Sequence, residues 1–287
     1  MKVIISTLII IICYIIWQHM ELKKFEVTSC QIHSDKIAEP MKLVMISDLH
    51  SHVYGKNNEP LFRAVAEQKP DLILIPGDMI VGKKPDSYDT AYEAFAGLVP
   101  IAPVYFCNGN HESRPAQKNM PYTAAFLVYE KKVKALGVHI LNNKTSHLNV
   151  GENKITISGA EVDIGYYAKG KRIPLPEDFL TKKLGMPGED YHILLAHNPA
   201  YSEQYASWGA DLTFCGHNHG GLIRIPGLGS VISPQLELFP KYDAGEFVFG
   251  KKHVLVGRGL GTHTFHIRIF NRAQLVAVEL LPQAKKK

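Results

Sequence analysis

Cysteine is scarce and unpatterned. Only Cys13, Cys30, Cys107 and Cys215 occur, and no two stand as C-x-x-C. That excludes a disulfide framework and a zinc ribbon. Cys107 and Cys215 lie in apolar, strand-like runs and read as buried, inert thiols. A strong charge of one sign is also missing, since 32 Lys and Arg against 27 Asp and Glu leave a formal net charge of +5. This suits an anionic substrate or a membrane surface and does not demand nucleic acid. There is no basic stripe with interleaved aromatics, so no nucleic-acid partner is expected, nor is an obligate protein partner evident. There is no internal repeat. With 46% hydrophobic and 21% charged residues, a globular core is expected and disorder is excluded.

The one long apolar run is VIISTLIIIICYIIW, Val3 to Trp17. It is short for a spanning helix, which needs about 20 residues, but extension to Met20 reaches that range. Lys2 on one side and Lys23 with Lys24 on the other nearly balance the positive-inside rule. No A-x-A-like cleavage site follows, and the charged ELKKFE separates the run from the lipobox-like VTSC. The expectation is a retained N-terminal transmembrane helix. Residues 1–24 are then the anchor and 25–287 the catalytic domain, in a single-pass protein of the cell membrane. The extracytoplasmic side is slightly favoured for that domain.

Short runs rich in Val, Ile and Leu recur after the anchor: FEVTSCQIHS, KLVMISD, DLILIPGD, VYFCNGN, KITISGAE, YHILLAH, DLTFCGH, HVLVGRGLG and QLVAVELL. Helix-like segments at 60–69, 88–98 and 124–136 alternate with them. Strands alternating with helices imply an α/β domain. The Gly- and Pro-rich stretch 220–250 reads as a loop overlying a site.

Five of these runs end in residues that a core strand does not need. They deliver Asp48 and His50, Asp78, Asn110 and His111, His197, and His217 with His219. Ligands gather at the carboxyl edges of α/β sheets. In extended chain, residues i and i+2 project to one side, so Asp48 with His50 and His217 with His219 can each aim two groups at one place. Seven candidate ligands, Asp48, His50, Asp78, Asn110, His197, His217 and His219, suffice for two divalent ions if one carboxylate bridges. Mixed imidazole and carboxylate ligation suits Mn, Fe, Zn, Co or Ni without choosing among them. Two such ions suit displacement at phosphorus. Gly77, Gly109 and Gly216 precede ligands and allow close backbone approach.

The pieces D-L-H at 48–50, G-D at 77–78, G-N-H-E at 109–112, A-H-N at 196–198 and G-H-N-H at 216–219 resemble the calcineurin-like metallophosphoesterase family. The C-terminal GHNHGGLIRIPG and VGRGLGTHTFHIRIFNRAQLVAVEL resemble its membrane-associated YkuE/YaeI-like branch. The resemblance implies a four-layer αββα sandwich of the α/β (α+β) class, with two facing mixed β-sheets. It implies one ion, Mn first, on Asp48, His50, Asp78 and His219, and a second on Asp78, Asn110, His197 and His217. Asp78 and His111 would be catalytic, with His111 stabilising the phosphoryl oxygens or protonating the leaving group. Many relatives carry G-D-x-x-D, whose second Asp can orient that histidine; here the position is Val81, leaving Asp86, Asp89 or Glu112 as candidate partners. The implied activity is hydrolysis of a phosphodiester or pyrophosphate bond, in a lipid-linked or cell-envelope substrate such as UDP-2,3-diacylglucosamine. The alternatives are a metal-dependent nuclease and an inactive scaffold with this fold; the complete ligand set speaks against the scaffold.

His52, Arg114 and Arg258 are weaker candidates for substrate contact. Phe239, Tyr242, Phe247 and Phe249 read as core, with a lipid-facing lip as the rival reading. His263 and His266 read as strand residues, and the basic end AKKK as a solvated tail.

Overall fold

A computed structural model describes residues 2–118, 120–221, 223–262 and 266–284. His263 and the basic tail 285–287 lie outside the described residues.

The apolar runs become strands in two facing sheets. In the first sheet, β1 (Phe25–Ser34), β14 (Ala273–Pro282), β2 (Met41–Met45), β3 (Leu72–Ile75), β4 (Val104–Phe106) and β5 (His139–Ile140) lie side by side in that order. β2 to β5 run parallel, while β14 is antiparallel to β2. The second sheet has the order β12 (Gly245–Phe249), β13 (Lys252–Val256), β9 (Leu212–Cys215), β8 (Tyr191–Leu195), β7 (Asn153–Gly159) and β6 (Lys144–Val150). Its inner strands β13, β9, β8 and β7 are parallel, and both edges are antiparallel.

Strand alternation explains the layering. Leu43, Met45, Leu72 and Leu74 meet Ile155, Ile157, Ile193, Leu195 and Phe214 in one core between the sheets. The intervening Val44, Ile73 and Ile75 turn outward onto helices α2 (Glu59–Glu67), α3 (Ser87–Leu98) and α5 (Thr123–Ala135). On the other side, Leu194, Val254 and Val256 pack under α6 (Phe179–Leu184) and α7 (Ser202–Trp208). Both faces of each central strand are buried, which is why these runs are apolar throughout instead of alternating. The result is a helix–sheet–sheet–helix sandwich with two mixed sheets. Cys107 and Cys215 are fully buried, and burial pushes both thiols well above their usual range.

Two expectations need correction. His266 lies outside any strand. The N-terminal run does form a helix, α1 (Lys2–Glu21), yet among the described residues no helix is long and apolar enough to cross a membrane. Val3–Trp17 spans about 22 Å at about 1.5 Å per residue, against a hydrocarbon layer about 30 Å thick. The extension to Met20 takes in the polar Gln18, and the last turn of α1 is docked on the protein through Gln18 and Glu21, although Met20 itself stays exposed. Gln18 is buried and exchanges two hydrogen bonds with the Arg268 backbone, at 3.0 and 3.2 Å. Glu21 forms a bidentate pair with Arg272 at 2.6 and 3.0 Å. Ile5 through Ile16 remain exposed to solvent on all sides of the helix.

Candidate metal centre

Strands β2, β3, β4, β8 and β9 stop together at one edge of the sandwich, and the chain turns sharply after each. Asp48, His50, Asp78, His217 and His219 all have φ between +47° and +67°. Asp and His tolerate this left-handed backbone better than bulky residues, and such strain gathers at functional sites. The turns do what strand alternation was expected to do, and for one pair they do the opposite. Asp48 and His50 converge with His219, whereas His217 joins Asp78 and His197. The i, i+2 histidines of GHNHGG therefore serve two different groups. A third group joins His50, Asp78 and His111, so the clusters are contiguous.

Every member of these groups is nearly solvent-free, with Asp48 and His197 at 0% exposure and His219 at 9%. The donor arrangement fits cations. The His50 Nδ1–H donates to the Ile80 carbonyl at 3.0 Å and the His197 Nδ1–H to the Pro76 carbonyl at 3.0 Å. A carbonyl only accepts, so these bonds leave the Nε2 lone pairs facing inward. His50 Nε2 then stands 3.1 Å from His219 Nε2, and His197 Nε2 3.0 Å from Asp78 Oδ2. In the ion-free site such contacts are held by shared protons, and the same buried nitrogens and oxygens are the donor atoms a divalent cation would use. The Asn110 amide oxygen and Asp48 Oδ2 are also buried without a hydrogen bond. Imidazole nitrogens with carboxylate and amide oxygens suit divalent transition metals.

Without an ion, the electrostatics are those of crowded acids and bases sharing protons. Burial pushes Asp48 up to about 6, with Asp78 adding to it against the pull of His197. Burial also raises Asp78, but His197 and His111 outweigh it and hold that carboxyl well below the usual range. Burial opposes the charging of His197, yet Asp78 and Asp48 raise it to about 9.

The surrounding backbone locks these candidate ligands in place. Asp48 Oδ1 accepts the His217 N–H at 2.9 Å and Asp78 Oδ1 the His111 N–H at 2.8 Å. A Cβ on Gly109 would stand 2.2 Å from Asp78 Oδ1, and one on Gly216 2.3 Å from Asp48 Oδ2. These glycines are there for close approach, not only for turning.

His111 finds its orienting partner in the backbone. The Gly82 N–H donates to His111 Nδ1 at 3.1 Å, one residue from where many relatives place a carboxylate. Neither Asp86 nor Asp89 fills that role. Glu112 is engaged elsewhere, accepting the N–H groups of Asp78, Met79, Ile80 and Gly109 at 2.7–3.2 Å and so tying two ligand loops together. An amide donated into Nδ1 leaves the ring's own proton on Nε2, which makes His111 a hydrogen-bond donor.

The cluster opens into a cleft of about 610 Å³. Lys83, Lys84, Arg114 and Lys169 line it and make it attractive to anions, and residues 232–236 of the expected overlying loop form one wall. Arg114 thus faces the cleft. Arg258 does not: its guanidinium pairs with Glu26 on β1. His52 is half-buried against Tyr54 and is likewise outside the described lining. Tyr167, whose ring meets His217 edge-on at 4.8 Å, and the lysines had no signal in the sequence. Of the four loop aromatics, Tyr242 packs in the core with Phe247, while Phe239 is 60% exposed.

This edge of converging turns, built to hold divalent ions beside a basic cleft, defines a metal-dependent phosphohydrolase. The calcineurin-like phosphoesterase family model matches residues 41–221, and the chain belongs to that family. Phosphodiesterase YaeI of Escherichia coli K12 is 29% identical over 249 residues, covering 85% of this chain and 83% of that one. The metallophosphoesterase YkuE of Bacillus subtilis is 26% identical over 280 residues, covering 92% and 88%. The UDP-2,3-diacylglucosamine pyrophosphatase LpxG of Chlamydia muridarum is 23% identical over 282 residues, covering 84% of each.

Proposed function

We propose that the protein hydrolyses a phosphodiester or pyrophosphate bond in a lipid-linked or cell-envelope substrate at a cell membrane. The observation that carries the metal chemistry is the convergence of two buried groups, Asp48, His50 and His219 and Asp78, His197 and His217, each with its ligand atoms within 4.8 Å of one another. Asp48, His50, Asp78 and His219 would hold one divalent ion, and Asp78, Asn110, His197 and His217 a second, with Mn the first candidate. Bound there, such ions would supply Lewis acidity toward phosphoryl oxygens and water. The chain's own groups do the rest. Lys83, Lys84, Arg114 and Lys169 draw the anionic substrate into the cleft. His111, held by Gly82, gives a hydrogen bond from Nε2 to a phosphoryl oxygen as negative charge develops on it. The buried walls exclude bulk water and strengthen these contacts. The exposed apolar surface of α1 favours immersion in lipid, which would bring the cleft to substrates of the same membrane. The activity in the name of LpxG makes a lipid-linked nucleoside diphosphate the first natural substrate to try.

The test is hydrolysis of bis-p-nitrophenyl phosphate beside p-nitrophenyl phosphate. Metal-stripped full-length protein would be reloaded with Mn, Zn, Fe, Co or Ni. Metal-restored diester cleavage that drops by roughly 10²–10³-fold in Asp78→Asn is expected. Turnover that needs no metal, or that survives Asp78→Asn, would refute the assignment.

A further inference from the structure

Beside the cleft lies a flap assembled from segments distant in sequence. β10 (Arg224–Ile225) and β11 (Gly229–Ser230) form a hairpin. The Arg224 N–H donates to the Ile269 carbonyl on one side, and the Phe239 N–H to Val231 on the other, both at 3.0 Å. Ile232 bridges Leu238, and the Ser233 N–H reaches the Glu237 carbonyl. Arg268, one residue before Ile269, carries the two backbone bonds to Gln18 at the end of α1. The flap and the foot of α1 are thus one hydrogen-bonded unit. Its inner side, with Ile232, Leu236, Ile267 and Arg268, walls the cleft.

The outer side is apolar and bare. Leu228, Phe270, Leu238 and Phe239 are 60–72% exposed, and Leu236, at the rim where it also lines the cleft, is 55% exposed. Single exposed apolar residues need no explanation, but several carried by one hydrogen-bonded unit do. Leu236, Phe239 and Phe270 also have φ of +64°, +48° and +50°. That backbone is unfavourable for bulky side chains, and here it holds them in water instead of in a core. Cations border the same mouth: Lys83, Lys84 and Lys169 are exposed along the cleft, and Lys171 and Arg172 follow.

We propose that the flap is a second membrane-docking surface, which acts with α1 to seat the mouth of the metal cleft on an anionic bilayer. Leu228, Leu236, Leu238, Phe239 and Phe270 enter the interfacial layer, and the bordering cations meet the phosphate headgroups. A lipid-linked phosphate would then pass from the membrane into the cleft beneath Leu236 without crossing water. This last step rests on the lipid-linked reading of the substrate; the docking itself does not.

The test is flotation of the full-length protein with vesicles of phosphatidylglycerol and phosphatidylcholine. Leu238→Glu combined with Phe239→Glu should weaken vesicle partition at least about ten-fold, by the apolar area withdrawn from lipid. Metal-restored hydrolysis of bis-p-nitrophenyl phosphate, a soluble diester, should be unchanged. Val248→Glu, at a 57% exposed position on β12, should leave partition unaltered. Unchanged partition in the double variant, or an equal loss in Val248→Glu, overturns the proposal. So does failure of the unaltered protein to float, which would assign the flap to a protein partner. If the double variant does not fold, Leu228→Glu at the 72% exposed hairpin tip must give the same partition loss on a smaller scale. Flotation needs neither metal nor turnover, so failure of the hydrolytic reading and failure of the docking reading are seen separately.

Discussion

Gly216→Ala tests the proposed metal centre without replacing any of its candidate ligands. Gly216 follows the last residue of β9 and has no positive φ, so alanine adds no backbone strain and the perturbation is purely steric. The new Cβ would lie 2.3 Å from Asp48 Oδ2 and 3.1 Å from both Asp48 Cγ and Ser47 Cβ, where ordinary contact begins at 3.4 Å. Neither backbone can retreat. The Gly216 N–H is bound to the His197 carbonyl at 3.0 Å and the Asp48 N–H to the Gly77 carbonyl at 3.1 Å. The Asp48 carboxylate must therefore turn or withdraw by about 1 Å in a densely packed site. Overpacking of this kind costs about 1–3 kcal/mol of stability. Disturbing a ligand's support lowers metal affinity by about 10–100-fold. Titration of Mn into metal-stripped protein should show that loss, and diester hydrolysis should return at high Mn. A folded Gly216→Ala protein that binds Mn as tightly as the parent would refute Asp48 as a ligand.

His111 and His192 offer two further checks. His111→Gln retains an N–H donor of similar reach, so hydrolysis should stay within about ten-fold of the parent, whereas His111→Ala should lose roughly 10²–10³-fold. If the two variants are equally impaired, and more so with poor leaving groups, His111 acts as a proton donor and the reading from Gly82 is wrong. His192 is buried with Nε2 2.8 Å from Ser158 Oγ, and burial lowers its pKa from 6.5 to about 4. The unfolded chain takes up this proton as pH falls below 6.5 while the native protein refuses it until about 4. Stability should therefore decline across that window by up to about 3 kcal/mol. Urea denaturation between pH 7 and 4 should show a shallower decline in His192→Gln; identical slopes would rule out this residue as the cause.

The sandwich was legible because its central strands are buried on both faces. Runs such as LVMI and LILI have one structural use, and the helical segments between them are long enough to show their period. Strands β5, β10 and β11 were not legible. Each has two residues, and nothing local distinguishes it from a turn. The N-terminal run misled for a different reason. Its composition fits lipid, but Gln18 and Glu21 are claimed by Arg268 and Arg272 some 250 residues away, and periodicity carries no trace of that.

By itself the sequence determined the chemistry. The types and order of Asp48, His50, Asp78, Asn110, His197, His217 and His219 offer oxygen and nitrogen groups suited to divalent ions at the ends of apolar strands. The family resemblance implied how those groups divide, but only the tertiary structure decided what turns them apart and what supports them. His217 and His219 part company because left-handed turns, not strand alternation, set their directions. His111 is oriented by a backbone amide, which has no residue type and so leaves no mark in a sequence. The basic lining of the cleft and the bare apolar flap arise from segments brought together by folding, since charge and exposure are properties of surfaces, not of positions along the chain.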